Sequence, residues 1–381
     1  MLAPTRLDLS GERLHVVYRL HETSLDKAAA LARHICVEQT VEFPADLIPA
    51  GDDISTQVIG RVEDLAAVDG GHAATISYAA ECTSFQLPQL INVLFGNISL
   101  LPGIKLVSVD LPPSVLEAFR GPRFGIAGLR QRLGAPERPL LATALKPMGT
   151  PLEVFAEMAG DFASSGIDLI KDDHGLASQP FCDFRRRVEL CASAVERANA
   201  DHGTNALYLA SLNLPANELF DAARFARDAG AGGVMVLPGL HGYDAMRAIA
   251  DDDDLALVVL GHPSALGAMT SPTHHGMSHA VIFGTLMRLA GADVSVFPNH
   301  SGRFAFEPDA CASIAKASRE PLGSIRPTFP APGGGMSVER VPEMVEFYGR
   351  DVVLLIGGEL HRGSRRERAR AMREAAIGAI S

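Results

Sequence analysis

Leu169-Ile170-Lys171-Asp172-Asp173-His174-Gly175 has the form of a buried β-strand that runs straight into four consecutive ionisable residues. Burying a lysine beside two aspartates costs several kcal/mol unless the charges pair or hold a metal. A cluster of this kind at a strand end therefore suggests an active site. Side chains alternate faces along a strand, so Lys171 and Asp173 are expected to share a pocket, with Asp172 on the other side and His174 at the loop edge. For an isolated Lys-Asp-Asp, a solvated turn with a salt bridge is the plainer reading; the rest of the chain decides against it.

Around this stretch, from Arg138 onward, short apolar strands and amphipathic helices follow in a strict beat. Strands are predicted at 140–146, 167–173, 206–211, 232–237, 256–262, 293–298, 324–329 and 352–357, each followed by a helix, the last running over 365–380. Eight such units in succession are the pattern of a TIM barrel; a doubly wound open sheet is the alternative. In a barrel the C-terminal strand ends form the active-site rim. Here they carry Lys146-Pro-Met, Lys171-Asp-Asp-His, His262-Pro, Asn299-His300-Ser-Gly-Arg303, Pro332-Gly333-Gly334-Gly335 and Gly357-Gly358-Glu359. Polar, basic and glycine-rich residues thus gather at one end, as a phosphate-binding catalytic mouth requires.

The preceding residues are more mixed. Strands are predicted over 14–20, 56–64, 73–79 and 104–110, and helices over 24–36 and 87–95. This is an α+β module of ordinary domain size. The expected organisation is an α+β domain over 1–135 and an α/β barrel domain over 136–381.

With 381 residues, 47% hydrophobic and 21% charged, the chain has the composition of a soluble globular protein. Its net charge of −11 argues against a general nucleic-acid surface but leaves room for a locally basic pocket. The five cysteines are scattered without a CxxC pair, the start of the chain lacks the apolar core of a signal peptide, and no apolar run approaches a membrane span. A cytoplasmic location, with neither membrane nor nucleic acid as partner, is expected.

Gly333–Gly335 and Gly357–Gly358 follow the seventh and eighth strands, where barrels bind phosphate. Their backbone N–H groups can surround phosphate oxygens, although tight turns needing positive φ would call for glycine equally. Lys171 and Asp173 admit a salt bridge, a Schiff-base lysine or a metal site. Lysine ligates only once deprotonated, at a cost of about 4–5 kcal/mol at neutral pH, whereas its carbamate offers oxygen ligands suited to Mg2+. Lys146, one strand away, is then placed as a general acid/base or electrophile. His262 and His300 stand at strand ends facing the expected pocket. His274, His275 and His279 suit capping or packing as well, and His15, His34 and His202 are expected to be structural or surface residues.

These residues, in this order, resemble the RuBisCO superfamily over nearly the whole chain. The carrying segments are Phe119-Arg-Gly-Pro-Arg-Phe-Gly-Ile126, Arg138-Pro-Leu-Leu with Leu145-Lys146-Pro147, Ile170-Lys-Asp-Asp173, Ser178-Gln-Pro-Phe181, His300-Ser-Gly302, Gly334-Gly335 and Gly357-Gly358. The resemblance implies a barrel whose active site is completed by the N-terminal domain of a second subunit, so that a homodimer or an assembly of dimers is expected. It implies that Lys146 moves protons in enolisation, that Lys171 is a carbamylated Mg2+ ligand beside Asp173, and that His262 and His300 are active-site histidines. It also implies that Gly334, Gly335, Gly357 and Gly358 bind phosphate, and that Glu38 and Asn97 are lent by the partner.

The departures are equally specific. His174 stands where a third metal carboxylate is expected, completing the set Lys171, Asp173 and His174 with an imidazole that coordinates Mg2+ poorly. Met148 replaces the second lysine of Lys-Pro-Lys, Pro263 replaces an arginine that would grip a second phosphate, and the loop Arg303-Phe-Ala-Phe-Glu-Pro has no lysine. The chain is similar to RuBisCO-like proteins of form IV, in the non-photosynthetic branch, rather than to CO2-fixing carboxylases. The expected activity is Mg2+-dependent enolisation with decarboxylation or C–C hydrolysis of a phosphorylated 3-oxo sugar acid or keto sugar. The alternative is an enolase or isomerase acting on a methylthio-sugar phosphate, and a catalytically silent phosphate-binding relative is the third possibility.

Overall fold

Leu14, Val16, Tyr18 and Leu20 are fully buried and alternate with more exposed neighbours, so Arg13–Leu20 forms β1 at the middle of a sheet. In the computed structural model, which describes residues 5–380, β2 (Arg61–Val68) and β3 (Gly71–Ala79) extend this sheet on one side and β4 (Ile104–Asp110) on the other. The helix Leu25–Glu38 packs on β2 and β3 through Ala28, Ala32, Ile35 and Cys36. The strand expected at 56–64 begins only at Arg61. Residues 54–58 coil instead into a wide turn, with the Ser55 and Thr56 hydroxyls donating to the Asp52 carbonyl.

The second unit is built from parallel strands: β5 (Leu140–Leu145), β6 (Leu169–Asp172), β7 (Leu207–Ser211), β8 (Gly233–Val236) and β9 (Val258–Gly261). β10 (Gly276–Met277) leaves this series to pair with β4, and β11 (Val294–Pro298), β12 (Phe329–Gly333) and β13 (Val353–Ile356) resume it. The eight close in the order β11-β12-β13-β5-β6-β7-β8-β9, with helices between them. The fold is therefore the expected α/β barrel of TIM type with a smaller N-terminal sheet domain.

The compact units divide at Phe119 rather than at 135, and the segments Leu266–Ile282 and Leu322–Ser324 belong with the N-terminal unit. The reason lies in the helix Gly125–Leu133. Ile126, Leu129, Leu133 and Ala135 share one buried cluster with barrel residues such as Leu140, Leu169, Leu209, Val294 and Val353. The helix closes the N-terminal end of the barrel: Asp293, just before β11, accepts the Phe124, Gly125 and Val259 N–H groups, and Arg130 pairs with Asp351, just before β13.

Strand β12 runs over 329–333 instead of the expected 324–329. Phe329 N–H donates to Asp293 and the Gly333 carbonyl accepts from Asn299, so alternate residues turn towards β11. Pro330 and Pro332 face β13 and have no N–H to give, which leaves Gly333 opposite Leu355 as the single paired position on that side.

The two glycine turns differ physically. Gly334 and Gly335 adopt φ of +100° and +69°, and a methyl on Gly335 would collide with the Ser301 carbonyl oxygen. Backbone demands alone require glycine there. Gly357 and Gly358 have open space where a Cβ would stand. Gly335→Ala is accordingly expected to cost about 1–3 kcal/mol, and Gly358→Ala to stay within about 0.5 kcal/mol of wild type, both read from denaturant unfolding midpoints. Asp293→Ala should cost about 2–4 kcal/mol, because three N–H groups, two of them in buried bonds, lose their acceptor.

Candidate active site

Counting in twos along the barrel strands assembles the site. Ala142 and Leu169 lie in the buried cluster inside the barrel. Two and four residues further on, the same faces present Ala144 and Lys146 on β5, and Lys171 and Asp173 on β6. The β5–β6 register pairs Ala144 with Lys171 and Leu145 with Asp172, so Lys146 and Asp173 arrive side by side. Their ion pair measures 3.2 Å. Leu260 is likewise interior and is followed two residues later by His262. Asp172, of opposite parity, is fully buried on the outer side of the strand.

Lys171 is buried and donates to the Asp172 carbonyl at 2.9 Å. Burial lowers its pKa to about 8, with Lys146 adding repulsion and Asp173 opposing both. Burial works against ionisation of Asp173, but a hydrogen bond from His174 and the charges of Lys171 and Lys146 hold its carboxyl well below the usual range. His174 Nδ1 lies 3.5 Å from the same carboxylate oxygen, and its ring stacks on His262 with centroids 4.7 Å apart and planes 13° from parallel. Burial, then Lys171 and His174, keeps His262 neutral. Its Nδ1 lies 3.0 Å from the Ser264 hydroxyl and accepts the Ser264 N–H at 3.3 Å, an arrangement that favours the tautomer with the ring proton on Nε2.

As they stand, these residues do not fit Mg2+, which needs oxygen ligands. Asp173 is the one carboxylate among two lysines and two histidines, and no group of three acidic, histidine or cysteine side chains suited to a metal occurs among the described residues. Two observations change this if Lys171 carries a carbamate. Burial shifts Lys171 towards its neutral amine, the form that reacts with CO2. Ser211, one pleat beyond the Leu209 that pairs with Lys171, is buried with an Oγ that has no hydrogen-bond partner. An acceptor in the pocket would satisfy that hydroxyl, and a carbamate on Lys171 would add oxygen ligands to the one carboxylate of Asp173. Ser211 escaped the sequence reading; the periodicity of its strand was the available signal.

The remaining expected residues lie elsewhere. The turns at Gly333–Gly335 and Gly357–Gly358 follow β12 and β13, the two strands preceding β5 around the barrel, so they share its rim. His300 packs on Phe347 and Tyr348, its Nε2 is buried without a partner, and it does not meet the Asp173 cluster through any contact seen. Arg303 is exposed over the Phe304 ring, likewise apart from the lysines. In the N-terminal unit, Asn97 donates to Glu38 at 3.0 Å. Gln39, buried next to Glu38, donates to the Asn92 and Val93 carbonyls and accepts the Ile98 N–H, splinting the two segments that carry this pair. Its helix-end position gave no hint of that role.

Comparison with known proteins agrees with this anatomy. Residues 125–378 match the profile of the ribulose bisphosphate carboxylase large chain, catalytic domain. The chain is 38% identical to ribulose bisphosphate carboxylase-like protein 1 of Rhodopseudomonas palustris, over 93% of its length and 94% of that protein. It is also 38% identical to the 5-methylthioribulose-1-phosphate isomerase of Rhodospirillum rubrum, over 92% of this chain and 91% of that one. Its structure superposes on the dimeric archaeal Rubisco of Hyperthermus butylicus with a TM-score of 0.88 and 27% identity, covering 98% and 92% of the two chains. By profile, sequence and architecture, the chain belongs to the ribulose bisphosphate carboxylase large-chain family, among its RuBisCO-like proteins.

Proposed function

We propose that this chain is an enzyme that enolises a phosphorylated keto sugar or 3-oxo sugar acid without fixing CO2. The observation that carries the reading is the Lys146–Asp173 pair at 3.2 Å beside buried Lys171. In its amine form Lys146 takes the proton from the carbon next to the substrate carbonyl, leaving an enediolate. Returning the proton at the neighbouring carbon gives an isomer. For a 3-oxo acid, breaking the bond to the carboxylate releases CO2, and Lys146 delivers a proton to the resulting enolate. Lys171 as its carbamate, with Asp173, would hold Mg2+, which when bound polarises the substrate carbonyl. The open backbone at Gly357–Gly358 supports a phosphate site there.

The rest of the site follows as part of the same proposal. His262, neutral with its proton on Nε2, is a hydrogen-bond donor to the substrate. His300, Arg303 and Gly333–Gly335 belong to the phosphate-holding rim and His174 flanks the metal. Glu38 and Asn97, prearranged by their mutual hydrogen bond, complete the site of a partner subunit in a homodimer. The five cysteines are unpaired, which supports a reducing, cytoplasmic setting. The second reading, isomerisation of a methylthio-sugar phosphate, is favoured by the 38% identity to the Rhodospirillum rubrum isomerase.

Lys146→Met should lower turnover about 10²–10⁴-fold with an unchanged unfolding midpoint; retained activity would remove Lys146 from the mechanism. Assays with 5-methylthioribulose 1-phosphate against 3-oxo sugar acid phosphates separate the two readings. Calorimetric titration with MgCl2 should give binding in bicarbonate buffer, none in CO2-free buffer, and none for Lys171→Met; equal binding in both buffers would sink the carbamate. Coexpressing Glu38→Gln with Lys146→Met chains should restore about a quarter of wild-type activity through mixed dimers, where neither variant alone is active.

A further inference from the structure

We propose that Asp172, the middle acid of Lys171-Asp172-Asp173, is a positioning residue that sets its two neighbours by being clamped on the outer side of the barrel by Arg187 and Tyr208. The outward carboxylate is used at both oxygens. Oδ1 accepts the Tyr208 hydroxyl at 2.8 Å, and Oδ2 accepts Arg187 Nε at 3.1 Å and the Ser211 N–H at 3.0 Å. Both members of the ion pair are completely buried.

The clamp reaches the site through the backbone. Fixing the Asp172 carboxylate at three points fixes the main chain on either side of it. The Asp172 carbonyl is the acceptor for Lys171 Nζ, and the next residue delivers Asp173 to Lys146. Arg187 also donates to the Ala177 and Cys182 carbonyls, at 2.9 and 3.2 Å. It therefore holds the loop after β6, the loop on which His174 stacks against His262. A salt bridge serving stability alone would need only the carboxylate; this one ties the strand end, the adjacent strand at Ser211 and the loop into a single unit.

The test uses the full chain, with Tyr208→Phe as the mild variant and Arg187→Lys as the stronger one, and histidine-labelled NMR as the substrate-free readout. The proposal rests on the enolisation reading only for a second, turnover arm. The His174 and His262 ring signals, displaced by their mutual stacking, are expected to move towards those of exposed histidines in both variants, while His34 and His202 stay put. With 5-methylthioribulose 1-phosphate, if wild type turns it over, kcat should fall about 10–100-fold with KM nearly unchanged. A lowered unfolding temperature with the two ring signals in their wild-type positions would mean a purely structural role and overturn the proposal, as would the absence of any change. Should Arg187→Lys not fold, Tyr208→Phe decides by the same criteria.

Discussion

Neighbouring strands force Lys146 and Lys171 onto one face beside Asp173, which pairs with Lys146 at 3.2 Å and offsets the charge of buried Lys171, and the behaviour of the mouth follows from that crowding. Lys146 and Lys171 project from adjacent strands on the same face, so their charges repel, and Asp173 opposes that repulsion. Lys171 is additionally stripped of water, which favours its neutral form. The surplus of positive charge is local, since the chain as a whole carries −11. An anionic ligand therefore meets attraction at this rim and mild repulsion elsewhere, which steers it to the barrel mouth.

This arrangement depends on strand parity more than on any single contact. The same period of two that fills the barrel interior with Leu140, Ala142 and Leu169 brings up lysine and aspartate once the strands reach the rim. A slip of one residue in β6 would bury Lys171 and Asp173 among outer helices and aim Asp172 at the mouth. Asp172 has partners suited to a carboxylate only in the observed register, from Tyr208, Arg187 and the Ser211 N–H. The anchoring of the outer residue and the presentation of the inner pair are one geometric event.

That logic explains what could be read from the sequence. Alternation was visible in the letters, so the facing of Lys171, Asp172 and Asp173 and the barrel itself were legible. The start of β12 was not, because Pro327, Pro330 and Pro332 carry opposite weight depending on which neighbour each faces. The helix Gly125–Leu133 joins the barrel by its buried face, a fact about packing that periodicity cannot supply. Gln39 was invisible for a related reason: a side-chain amide acquires its meaning from carbonyls brought near it by distant parts of the chain, whereas for Ser211 strand periodicity gave its facing but not its unpartnered hydroxyl. The glycines were legible as glycines only. Steric demand at Gly335 and open room at Gly357–Gly358 became separable once neighbouring atoms were in place.

The substitutions at the rim also follow one electrostatic direction. Relative to the resemblance, this chain has lost one acid, at His174, and several bases, at Met148, Pro263 and the loop after β11. Losing more positive than negative charge lowers the anionic load the mouth can balance. Lys146 and Lys171 already draw on one carboxylate, and a third ammonium at position 148 would have to be matched by a second phosphate on the ligand. Met148 instead places a half-exposed thioether beside Gln179 and Gly175, a surface with no claim on an anion. With Lys146 and Lys171 as the lysines at these strand ends, the mouth is matched to fewer anionic groups than a clamp for two phosphates demands.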